Sequence, residues 1–181
     1  NLISPGKLTT QREDPVYDEA FRLSEAIDSD LKNVAFPRVA EKTYEGVDGK
    51  RKFTAEEYSA YSQKLGEMQY SAAEALIKSP LYKSLPDEVK AGVLQDIYGQ
   101  AAAAAKKDVL GDKYSVAQSY QKALEAMDHG IPLEKYNLVA AIDDADGNGG
   151  VSKKEYENAL KRVSLTASER SYLLALRFPK K

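Results

Sequence analysis

The sequence predicts an all-α fold, an irregular bundle of about seven helices, and three observations carry that expectation. Apolar residues recur at three- and four-residue steps through most of the chain. Strand-type alternation is scarce, and β-branched residues are few and scattered. Caps, prolines and glycines divide the chain into segments of helix length. With 181 residues, 43 % apolar and 30 % charged, the chain falls in the range of one domain and is long enough to bury a core.

Asp14-Pro15 opens the first periodic segment, with the aspartate placed to cap and the proline at a first helical position. Val16, Ala20, Phe21, Ser24, Ile27 and Leu31 form its repeat. From about residue 32 to 52 the period lapses around Phe36-Pro37, Gly46 and Gly49, which predicts a connection over the surface. Thr54-Ala-Glu-Glu57 has capping-box spacing. Tyr58, Tyr61, Leu65, Met68, Ala72, Leu76 and Ile77 follow on one face, up to Ser79-Pro80. Pro86-Asp-Glu88 starts another helix, with Val89, Val93, Ile97, Ala101 and Ala104 as its stripe. The run Ala101 to Ala105 favours helix and close approach of neighbours, and Gly111 suits its end. Val116, Tyr120, Leu124 and Met127 mark a further helix that stops at Gly130. Residues 133–143, 153–163 and 167–177 are three short segments of about average helix length. These elements group as 1–53 (N-terminal helix and extended connection), 54–130 (helical bundle) and 131–181 (a C-terminal module), expected to form one compact unit.

Composition removes several function classes. Cysteine is absent, so disulfides and thiolate metal sites are excluded. The single histidine, His129, would leave a zinc ion dependent on carboxylates, and any Ser-His-Asp arrangement would run through it alone. The net charge is −2 and both signs are spread along the chain, so there is no nucleic-acid signature and no electrostatic footprint for an anionic membrane. No stretch reaches the ~20 apolar residues of a membrane-spanning segment. Asn1 is followed by no basic-plus-apolar leader, which leads us to expect a processed chain or a piece of a longer one.

One constellation carries chemistry. Residues 144–155 read Asp-Ala-Asp-Gly-Asn-Gly-Gly-Val-Ser-Lys-Lys-Glu. A hard cation such as calcium takes six to eight oxygens, and a curled twelve-residue loop can supply them. Asp144, Asp146 and Asn148 occupy loop positions 1, 3 and 5, and Gly149 at position 6 permits the sharp turn. Gly150 offers its carbonyl at position 7, Ser152 ligates directly or through water at position 9, and Glu155 closes the shell at position 12. This loop resembles the calcium loop of the EF-hand family. The resemblance implies metal ligation by Asp144, Asp146, Asn148, Gly150, Ser152 and Glu155 with Ca2+ as the cofactor. It also places Val151 where paired loops exchange a short β contact, and Tyr156, Ala159, Leu160 and Val163 on the apolar face of the exiting helix. Asp143 departs from the family, which often has an aromatic there. The alternative is a Gly/Asp/Asn-rich turn that meets the spacing without binding metal. A degenerate second hand at 46–57 would have Phe53, Thr54 and Glu57 at positions 8, 9 and 12. Gly46 and Lys50 at positions 1 and 5 exclude it as a metal site, and the capping box explains Thr54 and Glu57 without it.

Weaker signals have plainer readings. Gly66-Glu-Met-Gln69 is similar to a stretch of lysozyme-like lytic transglycosylases, but the Glu-Ser of those enzymes is missing and Met68 belongs to an apolar stripe. His129 sits at a helix end, where a capping role is the default. The twelve tyrosines fall mainly on helix faces as packing residues.

Over most of its length the chain is also similar to helical segments of very large phage and prophage proteins of the inner-virion or tail-associated kind. Asn1-Leu-Ile-Ser-Pro5, Asp14-Pro-Val16, Phe53-Thr-Ala-Glu-Glu-Tyr58, Ser79-Pro-Leu-Tyr82, Leu85-Pro-Asp-Glu88, Gly130-Ile-Pro-Leu133 and Leu165-Thr166 carry that likeness. It implies a structural or DNA-delivery-associated role in a virion, and together with the loop it leads us to expect a calcium-binding structural domain of a larger virion protein. Its partners would be other segments of that polypeptide or other virion proteins, and it would not be an enzyme. Two other classes compete, a calcium-dependent interaction or sensor module and an accessory domain of a cell-wall lytic enzyme. A single competent hand and only two methionines count against the sensor.

Overall fold

The computed structural model describes residues 14–27, 35–145 and 152–179. In chain order the elements are α1 (Pro15–Ala26), β1 (Thr43–Gly46), β2 (Gly49–Lys52), α2 (Ala55–Lys78), α3 (Pro80–Lys83) and α4 (Asp87–Leu110). A 3-10 turn (Gly111–Lys113) follows, then α5 (Gln118–Asp128), α6 (Leu133–Ala145), α7 (Lys153–Arg162) and α8 (Ala167–Arg177). The fold is all-α apart, among the described residues, from one antiparallel hairpin. The described residues hold eight helices against the expected seven, because the chain re-enters a helical turn at Pro80, which needs no backbone N–H in that first position.

Antiparallel α2 and α4, each of 24 residues, make the most extensive helix contact. Thr54 and Glu57 cap α2 reciprocally, at 3.1 and 2.9 Å. From Ile97 to Ala103 every α4 residue is buried, so this helix is enclosed on all sides rather than along the single predicted stripe. Alanine makes that enclosure possible. A Cβ added at Gly99 would stand 2.4 Å from the Tyr120 hydroxyl, so α5 comes close to α4 there.

Three buried polar side chains fasten elements to this pair. The Gln69 amide donates to the Arg38 carbonyl at 2.8 Å and accepts the Arg38 N–H at 3.1 Å. Gln100 and Asn137 exchange two hydrogen bonds, at 3.2 and 2.6 Å, joining α4 to α6. Asn137 also donates to the Leu133 carbonyl at 2.8 Å. Gln69 and Asn137 are absent from the predicted stripes, because an amide enters the core only when such partners exist.

Three expectations need correction. First, α1 stops at Ala26, where Ile27 turns extended, and Leu31 lies outside the described residues. Its buried residues are Val16, Ala20, Leu23 and Ile27, a three-to-four-residue stripe, whereas Phe21 is 56 % exposed and packs edge-on to Phe36. Tyr82 donates to Glu19 at 2.5 Å, and Arg22 bridges Glu19 and Asp87, tying α1 to α3 and α4. Second, the aperiodic stretch 32–52 contains the β1–β2 hairpin. β2 is exposed throughout, so no apolar alternation announces it. Gly49, at φ 116°, follows the Val47-Asp48 turn in a conformation that glycine adopts freely. Third, Val116 precedes α5 rather than lying in it, and Ala104 is only half-buried.

Residues 35–42 lead into the hairpin across α2 and α4. There Glu41 accepts from the Tyr61 hydroxyl at 2.5 Å and from Lys106 at 2.7 Å, while Tyr58 donates to the Ala40 carbonyl at 3.1 Å. Phe53 stacks on Tyr61 at 4.9 Å. One core cluster draws on α1 through α8 and unites all three predicted segments.

Two consequences can be measured. Asn137→Ala strands the Gln100 amide in the core, and urea unfolding should show a loss of about 1–3 kcal/mol. Gln100→Leu with Asn137→Ala should lose less than the sum of the two single changes, because they share one pair of bonds. Equal sums would show that the amides act independently. For Glu41, burial alone would raise the pKa, but hydrogen bonds from Lys106 and Tyr61 outweigh it and hold the carboxyl below its usual range. Its contribution is therefore complete above the unfolded carboxyl pKa, ~4.3, and disappears as pH falls through the lower folded value. Glu41→Gln should flatten that part of the stability–pH curve between about pH 5 and 3, leaving the curve above pH 6 parallel to that of the parent.

Candidate metal centre

The candidate loop joins two helices that are each rooted in the core. α6 starts after Pro132, whose carbonyl accepts the N–H groups of Lys135 and Tyr136, both at 3.1 Å. Leu133, Leu138, Val139, Ala141 and Ile142 are buried, and the amide pair with Gln100 holds the helix in register. α6 runs to Ala145, so Asp144 lies on its last turn. α7 begins at Lys153 and buries Tyr156, Ala159 and Leu160, with Val163 buried at its end. Those four positions are the ones that the EF-hand resemblance places on the apolar face of an exiting helix.

The structure places the six predicted ligands unevenly. Asp146, Asn148 and Gly150 lie outside the described residues, as does the Asp144 side chain. Ser152 and Glu155 are described. Ser152 is the N-cap of α7, and its Oγ accepts the Glu155 N–H at 3.1 Å. A hydroxyl oxygen has a second lone pair, so capping and ligation are compatible. Glu155 lies half-buried in the first turn of α7. The first loop position thus lies on the last turn of α6 and the last on the first turn of α7.

The donor set is all oxygen: the carboxylates of Asp144, Asp146 and Glu155, the Asn148 amide, the Gly150 carbonyl and the Ser152 hydroxyl. That chemistry fits a hard cation of calcium's size, and magnesium, which demands tight octahedral geometry, fits less well. Among the described residues no cluster of three or more His, Cys, Asp or Glu side chains gathers, and the acid-rich half of the loop lies outside them.

The 46–57 segment is committed elsewhere. Gly46 bridges to Tyr114, the Val47 N–H donates to the Lys113 carbonyl at 3.1 Å, and the Ser115 N–H donates to the Glu45 carbonyl at 3.0 Å. Glu57 accepts from Thr54 N–H and from Lys113. Any contact with Val151 lies outside the described residues.

His129 caps the end of α5, with Nδ1 3.1 Å from the Glu125 carbonyl oxygen. Its ring stacks on Tyr172 of α8 at 4.0 Å. Met68 packs against both hydrophobic clusters. Thr166 and Glu169 form a second reciprocal capping box, at the start of α8. Its Thr-x-x-Glu spacing is as legible in the sequence as that of Thr54 and Glu57. The chain matches no protein-family model, no curated protein and no solved structure.

Because Ser152 starts α7, Ser152→Ala should lower stability in calcium-free buffer by about 1 kcal/mol, measured by urea unfolding. An unchanged midpoint would mean that the cap contributes nothing to the folded state.

Proposed function

We propose that this chain is a calcium-binding, all-helical structural domain in which residues 144–155 hold one ion and staple α6 to α7. The observation that supports this reading is that the twelve-residue stretch runs from the last turn of α6 to the first turn of α7, two helices that share one hydrophobic core. The complete oxygen donor set in the sequence supports calcium as the ion. A structural role is supported by how the buried amides are used. Gln69, Gln100 and Asn137 are each engaged in joining one element to another.

The likeness to large phage proteins extends the proposal: the domain is a segment of a virion-associated polypeptide, and its partners are neighbouring segments or other virion proteins. The source reading frame tests this. It should be far longer than 181 residues and lie among phage structural genes, and a short frame without such neighbours would refute it.

Calcium binding is tested by titration calorimetry and thermal melting of the full chain. Binding to the native state alone should add about 2.7 kcal/mol at a hundredfold excess over Kd. Glu155→Gln should abolish most of both the heat and the melting shift. If calcium produces neither in the parent protein, the loop is an ordinary turn.

A further inference from the structure

The β1–β2 hairpin has one closed edge and one open edge. On the β1 side, Gly46 bridges to Tyr114, and the Ser115 N–H donates to the Glu45 carbonyl at 3.0 Å. On the other side no described strand lies beyond β2, and all four of its residues are exposed. The register shows what that edge presents. Thr43 faces Lys52, Tyr44 faces Arg51, Glu45 faces Lys50 and Gly46 faces Gly49. The Phe53 N–H donates to the Lys42 carbonyl at 3.2 Å, and hydrogen-bonded pairs alternate back from there to Tyr44–Arg51 and Gly46–Gly49. The backbone N–H and C=O groups of Lys50 and Lys52 therefore point away from β1, toward solvent.

The hairpin is held against the helices. Tyr44 is 4 % exposed and packs on Phe53 at 4.9 Å, and Phe53 stacks on Tyr61 of α2. A strand edge fixed in this way loses little freedom of its own when a further strand joins it.

Charge decides what can join. Lys50-Arg51-Lys52 is the one run of three consecutive cations in the sequence. The Arg51 guanidinium lies 3.6 Å from the Asp48 carboxylate, whereas Lys50 and Lys52 form no ion pair with a described residue. Lysines on an edge strand discourage pairing with other strands. A second copy of this chain would set its own lysines against them, and like charges directly opposite are destabilising. The same lysines favour a strand that brings carboxylates to those positions.

We propose that the open edge of β2 takes an acidic segment in extended conformation, added as a further antiparallel strand. Its backbone bonds to Lys50 and Lys52, and its Asp or Glu side chains, two residues apart, meet the two ammonium groups. Backbone bonds give such strand addition its affinity and the alternate side chains its specificity. The inference is independent of the calcium reading.

A labelled peptide alternating Glu and Thr, titrated with the full chain and followed by fluorescence anisotropy, tests it. The peptide should bind, more weakly as salt is raised. A matched peptide with Lys in place of Glu should bind at least about tenfold more weakly. Lys50→Glu with Lys52→Glu changes two exposed side chains, so it should leave the melting temperature unchanged and reverse that preference. In the complex with the Glu peptide, the Lys50 and Lys52 amides should become protected from hydrogen exchange, while the Arg51 amide, which faces β1, changes little. No binding of the Glu peptide, or equal binding of the two peptides, overturns the proposal. Binding without protection at Lys50 and Lys52, or equally tight binding of a single-stranded oligonucleotide, also overturns it and leaves a plain cationic patch.

Discussion

The close approach that the alanine run of α4 permits is the constraint on which the other packing depends. Between Ile97 and Ala103 this helix is buried on every side. A helix can be enclosed in that way only where its side chains leave the neighbours room. Ala101, Ala102, Ala103 and Ala105 leave that room, and Gly99 leaves more, since the Tyr120 ring occupies the space of its missing Cβ. α2, α5 and α6 therefore all lean directly on α4. Small residues bury little apolar area each, at roughly 25 cal/mol per Å². The core is accordingly filled by larger side chains around that run: Tyr61, Leu65 and Leu76 of α2, Tyr82 of α3, Leu94 and Ile97 earlier in α4 itself, and the inward faces of α1 and α6.

An alanine-lined contact places weak demands on register, because one methyl resembles the next. The amides supply what the alanines cannot. Gln100 and Asn137 fit only at one offset of α4 against α6, and Gln69 accepts only one position of the 35–42 segment. A mismatch would strand polar groups at sites only 2–6 % exposed, which costs more than the matched bonds gain. Glu19 and Glu41 act in the same way at the edge of the core, each accepting a buried tyrosine hydroxyl from another element, beside a cation that is Arg22 of the same helix for Glu19 and Lys106 of α4 for Glu41.

Helical periodicity made most of the fold legible, because a 3.6-residue repeat survives wherever one face of a helix meets a core. It lapsed where burial stopped being one-sided. α4 is an enclosed cylinder rather than a stripe, and in α1 the buried position is Leu23 while Phe21 is exposed. The hairpin left no trace because β2 is charged and exposed, and β1 buries only Tyr44 and Gly46. At the candidate site the reverse holds. The ligand spacing and the apolar face of α7 stand plainly in the sequence, and Tyr156, Ala159, Leu160 and Val163 are buried as that face requires. The links from the site to the rest of the molecule did not. His129 against Tyr172, Tyr156 against Phe178 and Asn137 against Gln100 join residues distant in sequence, and no local pattern encodes such pairs.

Those links decide what the site can influence. The entering helix α6 is locked to α4 by buried amides and by five buried apolar side chains, so a cation at its end has little freedom to move it. The exiting helix α7 is shorter, more polar and flanked by a cleft. The two flanks of the 144–155 stretch therefore differ in how they are held: buried amides fix α6 on α4, whereas α7 and α8 rest on apolar and ring contacts.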